Sequence, residues 1–270
     1  MRADCFVNRE PKIMLKIVAC FKWVVDDADI RVDAGSHKLN LDRAAYKISA
    51  YDRNAIEEAV ILQEKHGGSV VAMTVAQPGA KPCLKDSLSR GPDSACFIND
   101  PCCADLEPSQ TVEILARAIS AKTDYDLIIC GEGSGDIYAQ QVGPALAEKL
   151  GIPCVTWVNK LSYNEDEKRI IAERKLEDGV ETVSAPLPAL VVVLPDINSP
   201  RIPTLKQVLG AAKKPVENVT PQDQGSIPSP RLLTTEVVAA TMERRRIKLS
   251  ADADGIREAV NALLREGVVS

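Results

Sequence analysis

Histidine is the scarcest chemistry-bearing residue: only His37 and His66 occur in 270 residues, and aromatic side chains make up 4% of the chain. No Ser–His–Asp or Cys–His arrangement is suggested, so no catalytic residue is assigned. Eight cysteines are present but no CxxC pair, and Cys102 and Cys103 are adjacent. That spacing argues against zinc or iron–sulfur ligation, and no metal site is assigned. No apolar run approaches the roughly 20 residues that a membrane span needs. The opening MRADCFVNREPKIMLKIVACF lacks the apolar core and cleavage site of a signal peptide. A cytoplasmic location is expected, with the cysteines as thiols. An excess of basic residues is also missing: 33 Lys and Arg face 38 Asp and Glu, a net charge of -5. This balance argues against a nucleic-acid binder. There is no GxxxxGK[ST] loop, and KIVACFKWVVDD stands where an SGGxDS loop would follow a first strand. Both absences exclude the common ATP-using loops.

What is present suffices for one sizeable core, with 45% hydrophobic and 26% charged residues. Residues 1–13 read as a disordered leader. Lys16–Phe21 reads as a first strand, and residues 26–47 as a hairpin or loop. Ser49–Lys65 is an amphipathic helix in which Ser49 can cap and Asp52 stands three residues on. Strands follow at Ser69–Val75 and Ala95–Ile98, and helices at Pro82–Arg90 and Ser109–Lys122. After Pro153 come a strand, a hairpin around Glu177-Asp178-Gly179, and a buried strand at Leu190–Leu194. The alternation predicts an α/β fold: a mostly parallel, doubly wound sheet with helices on both faces. The nucleotide-binding domain is expected over 14–214, with a Pro-rich loop and short helix at 194–210. Residues 215–231 read as linker, and 215–270 as an extended arm ending in an amphipathic helix with Ile256, Val260, Leu263 and Leu264 on one stripe.

The chain centres on DLIICGEGSGDIYAQQVGPALAEKLGIP, Asp126 to Pro153. A buried strand, Leu127–Cys130, meets Gly131, Gly133 and Gly135, where glycine permits positive φ and close approach. Asp136 or Ser134 can cap the next element, and a helix follows from about Gln140. This layout aims free N–H groups and a positive helix end at a phosphate. On layout alone it is equally a plain strand-to-helix turn.

Three segments together resemble the beta subunit of electron-transfer flavoproteins. SAYDRNAIEEA (Ser49–Ala59) is similar to the N-P-Y-x-x-x-A-x-E-E-A segment, and GEGSGDIYAQQVGP (Gly131–Pro144) to the nucleotide-cradling loop. DINSPRIPTLKQVLGAAKKP (Asp196–Pro215) is similar to the partner-recognition loop and its basic helix. ISAYDRNAIEEA, LSRGPD and YAQQVG resemble the Fix-type branch most. Ser49-Ala50 stands for the common Asn-Pro, and Ile137-Tyr138 for small polar residues. The resemblance implies a Rossmann-like, adenine-nucleotide-binding domain that pairs with an alpha subunit. It implies FAD, or alternatively AMP, in the pocket. Electrons would pass between an acyl-CoA dehydrogenase-like or other redox partner and an acceptor, by flavin-based bifurcation in some members. It also implies cofactor-binding roles for Cys20, Ser49, Val75, Cys130, Gly131, Gly133, Asp136, Ala139, Gln140, Gln141, Val142 and Gly143. Ile197 and Arg201 are implied as partner-binding. The alternative weighed against this is a nucleotide-binding regulatory module of the stress-protein type.

Overall fold

The structure, a computed structural model, describes residues 14–33, 35–122, 124–240 and 246–269. The leader expected over 1–13 lies outside the described residues. β1 (Leu15–Cys20) shows at once how the layers form. Its side chains alternate, so Leu15, Ile17 and Ala19 enter one core while Val18 and Cys20 enter another. β2 (Trp23–Val25), β3 (Arg31–Val32), β4 (Leu39–Asn40) and β5 (Tyr46–Ile48) form two small ribbons, β2 with β5 and β3 with β4. α1 (Ala50–His66) then buries Ala55, Ile56, Ala59 and Leu62 against the first core. Each fully buried Ile or Leu contributes about 1.5–3 kcal/mol.

The chain continues through β6 (Gly68–Ala76), α2 (Pro82–Ser89), β7 (Ser94–Asn99), α3 (Pro108–Ala121), β8 (Leu127–Gly131) and α4 (Val142–Leu150). β9 (Cys154–Asn164), β10 (Arg169–Lys175), β11 (Val180–Pro186) and β12 (Ala189–Val193) follow, then α5 (Leu205–Ala211), β13 (Val216–Val219) and α6 (Ala253–Arg265). The nine-stranded sheet has the order β11-β10-β9-β12-β8-β1-β6-β7-β13. Every neighbouring pair from β9 to β13 in that order is parallel, and the β10–β11 hairpin extends the sheet antiparallel. α1, α2 and α5 cover one face, and α3 and α4 the other. The doubly wound α/β fold read from the sequence is the observed one.

Residues 215–231 are not the free linker expected. Val216–Val219 pairs in parallel with Ala95–Ile98 and forms the edge strand β13. The following segment is strapped along α3: Gln110 donates to the Pro228 carbonyl at 2.9 Å, and Arg117 to that of Ser226 at 2.7 Å. The Arg231 N–H donates to Glu107 at 2.8 Å. Among the described residues, those of 14–31 and 41–235 accordingly form one compact unit, and those of 32–40 and 236–269 a second. Within the second unit Lys38 bridges Val238, and the Asp252 carboxylate caps α6 through the Gly255 N–H at 2.8 Å. The α6 stripe of Ile256, Val260, Leu263 and Leu264 is exposed. Among the described residues no helix is long and apolar enough to cross a membrane.

Candidate functional site: the crevice between β1 and β8

From β1 the chain winds through β6 to β7 in one direction, then returns to place β8 on the other side of β1. Connections therefore leave β1 and β8 in opposite directions, which opens a crevice at their carboxyl ends. The register pairs Ala19 with Ile129, so Cys20 and Cys130 lie side by side at its floor. Contact with the Cys20 thiol and burial together push the Cys130 thiol well above its usual range, so it stays protonated and unreactive.

The crevice is drawn together by a residue the sequence reading used only as a helix-start signal. Asp52, buried in the first turn of α1, accepts the Lys22 N–H at 2.8 Å and the Gly131 N–H at 3.3 Å. It ties the chain just past β1 to the end of β8. Burial pushes its carboxyl up to about 7, against the pull of both N–H groups and Lys22. Gly131 is required by this approach: a Cβ there would stand 2.7 Å from both the Asp52 carboxylate oxygen and the Tyr51 carbonyl carbon. Ser49 does not cap α1 as expected. Its buried hydroxyl accepts the Gly135 N–H at 3.3 Å and joins the helix start to the loop.

The loop departs from the sequence reading in one further respect. None of Gly131, Gly133 and Gly135 has positive φ; Tyr138 and Gln140 do, at 51° and 56°. A side chain costs free energy in that region, so surrounding contacts must hold it. The Tyr138 ring supplies one, lying 5.2 Å from the Tyr51 ring and filling the space a Cβ at Gly133 would need. Asp136 pairs with Lys22 at 2.6 Å. Burial pushes its carboxyl up, but the bonds to Lys22 and Ser134 outweigh burial and hold it below the usual value.

After Gln140 the backbone returns to the right-handed region at Gln141, and α4 starts at Val142. The N–H groups of Ala139, Gln140, Gln141, Val142 and Gly143 have no partner among the described residues. Five consecutive free donors in a left-then-right-handed turn at a helix start make a concave anion cradle. The structure thus brings Cys20, Ser49, Cys130, Gly131, Gly133, Asp136 and 139–143 to one crevice. Val75 lies on the adjoining strand β6, past the Cys20–Met73 pair.

An electron transfer flavoprotein domain, matched over residues 38–224, accounts for this arrangement. The chain belongs to the electron transfer flavoprotein family. That membership decides against the stress-protein alternative. The free donors of 139–143 could hold an anionic group such as a phosphate.

Ile197 and Arg201 lie elsewhere, on the loop after β12 that α1 holds from its middle. Asn54 donates to the Pro195 and Asn198 carbonyls at 3.0 and 2.9 Å. Arg201 makes a two-pronged pair with the buried Glu57, at 2.9 and 3.0 Å, and a second with Glu64, at 2.7 Å. Ile197 is half-buried against the core. Arg201 is thus a clamp on α1, and the Lys214 ammonium donates to the Leu88, Gly91 and Pro92 carbonyls at 3.0, 2.9 and 2.6 Å. Lys206 and Lys213 remain exposed. Arg201→Ala strands the Glu57 carboxylate, so a loss of about 2–4 kcal/mol in chemical denaturation is expected. An unchanged midpoint would show that water replaces the arginine at no cost.

Proposed function

We propose that this chain is the beta subunit of an electron transfer flavoprotein, of the Fix-type branch, with FAD or AMP in the β1–β8 crevice. The run of free N–H groups over 139–143 carries the reading, because a phosphate chain matches consecutive backbone donors at a helix start. Cys20, Val75 and Cys130 would flank the adenine, and Ser49 and Asp136 would hold the loop around it. A bound flavin supplies one- and two-electron chemistry, which no side chain of this crevice supplies. The chain's own part is to grip the nucleotide and to present a docking loop. With an alpha subunit it would pass electrons between dehydrogenases and an acceptor in the cytoplasm, with bifurcation as one form of that exchange.

Co-production with a companion alpha subunit tests this reading. A stable heterodimer with a flavin absorption spectrum is expected; two separate colourless proteins would refute it. The exposed α6 stripe gives a further expectation. Truncation after Thr235 removes it and spares the compact unit. The truncated chain should keep its melting temperature and bind the alpha subunit at least tenfold more weakly, and equal affinity would show that α6 has no part in assembly. For the docking loop, Ile197→Ala should weaken electron transfer with a partner dehydrogenase by about 1–3 kcal/mol in apparent binding. Because Ile197 also packs on the core, its stability must be measured alongside.

A further inference from the structure

Beside the docking loop lies a groove of about 330 Å³ between the first turns of α1 and the segment Pro200–Pro203. Its charged lining consists of Arg53, Arg90 and Arg201, with no acidic residue. Arg90 is held by Asp86 at 2.9 Å and Arg201 by Glu57 and Glu64. Arg53 differs: its Nε donates to the Ile48 carbonyl at 3.0 Å, and its two terminal nitrogens have no partner among the described residues. They are fixed at the base and free at the tip, where a fork of donors suits a carboxylate. The Ala50 N–H, the first of α1, is also unpaired among the described residues.

The lining also holds Ile202, which is 90% exposed; Leu205 (75%) and Leu209 (63%) follow it at near-helical spacing on α5 and the turn before it. Prolines at 200 and 203 stiffen the turn, which lowers the ordering cost of binding. Exposed aliphatic side chains beside a guanidinium lining with a free fork mark an interaction site rather than a solvated face.

We propose that this groove docks a partner-protein segment carrying an aliphatic side chain next to a carboxylate, with Ile202 and Leu205 receiving the first and Arg53 the second. The proposal rests on the reading of residues 194–210 as a docking element. It adds to the half-buried Ile197 an exposed apolar contact, Ile202, and a polar contact from α1. Charge selects the occupant: a basic segment would be repelled by the lining, and a purely apolar one would leave the Arg53 fork unanswered.

The test needs no identified partner. The isotope-labelled full chain is titrated with a short Leu-Glu-containing peptide, and backbone amide shifts are followed by NMR. Matched peptides carry Lys for Glu or Ser for Leu. Saturable shifts confined to 50–54 and 200–209 are expected, reduced at least fivefold in affinity by Arg53→Gln, by Ile202→Ser, or by either peptide change. Glu177→Ala, an exposed residue in the turn between β10 and β11, should leave them unchanged. No shift at millimolar peptide, shifts elsewhere, or equal response to the Lys peptide would overturn the proposal. So would displacement of the peptide by AMP, because the groove would then belong to the nucleotide. Failure here with heterodimer and flavin intact leaves the electron transfer role standing, so the two readings fail separately.

Discussion

Gly131→Val is expected to abolish the proposed nucleotide binding and to cost at least about 1–3 kcal/mol of stability, the usual toll of forcing extra atoms into a packed site. The added Cβ would meet the Tyr51 carbonyl carbon and the Asp52 carboxylate oxygen at 2.7 Å each. The first is backbone at the start of a 17-residue helix whose apolar face is buried, and it cannot swing aside. α1 must lift, and with it go the Asp52 bonds to Lys22 and Gly131 and the Ser49 bond to Gly135. Gly131→Ala carries the same Cβ with less bulk and keeps the result readable if the valine variant does not fold. Gly135→Ala is the control, since its Cβ would meet only Val24, at an ordinary 3.8 Å. Calorimetric titration with AMP should show loss of more than tenfold in the Gly131 variants and little in Gly135→Ala. Parent-like affinity in Gly131→Ala would show that the approach of α1 to β8 does not shape the crevice.

The second large effect depends on pH. Asp52 moves from a reference of 3.8 to about 7 because burial disfavours its charge. Between those values the folded protein holds a proton that the unfolded chain has released, so its contribution to stability falls as pH rises through that window. The groups that face it are Lys22, which favours the charge, and Asp136, which opposes it. Full displacement corresponds to about 4 kcal/mol. Asp52→Asn cannot titrate. Denaturation measured from about pH 4 to pH 8 should therefore shift in the variant's favour relative to the parent by up to about 4 kcal/mol. A difference that stays flat with pH would mean the carboxylate is solvated and does not hold the strand ends together as a buried group. At neutral pH the ionised form strengthens the two N–H bonds, so the same substitution should weaken AMP binding most above pH 7.

These two residues also show how far the sequence could be read. The apolar periodicity of residues 50–66 and the runs at β1, β6 and β8 set the doubly wound fold, because local pattern and burial agree there. Asp52 gave only a helix-start signal, and nothing local tells that its carboxylate reaches Lys22 and Gly131, 30 and 79 residues away. The strand β13 was missed for a related reason. Val216–Val219 is short, half polar and exposed, and it is a strand only because β7 offers an edge. The glycines of the loop were legible, but the left-handed positions fell on Tyr138 and Gln140, where a ring contact between Tyr51 and Tyr138 makes them tenable. Nothing local shows that Arg201 clamps Glu57, because that partner is 144 residues away.

The central claim is that the crevice between the carboxyl ends of β1 and β8 holds an adenine nucleotide. Photolabelling with an azidoadenosine nucleotide, followed by peptide mapping of the full chain, tests it most directly. Label is expected on the peptides that carry Cys20 and Cys130, and competed away by excess AMP. Label confined to other peptides, or none that AMP can displace, would contradict it.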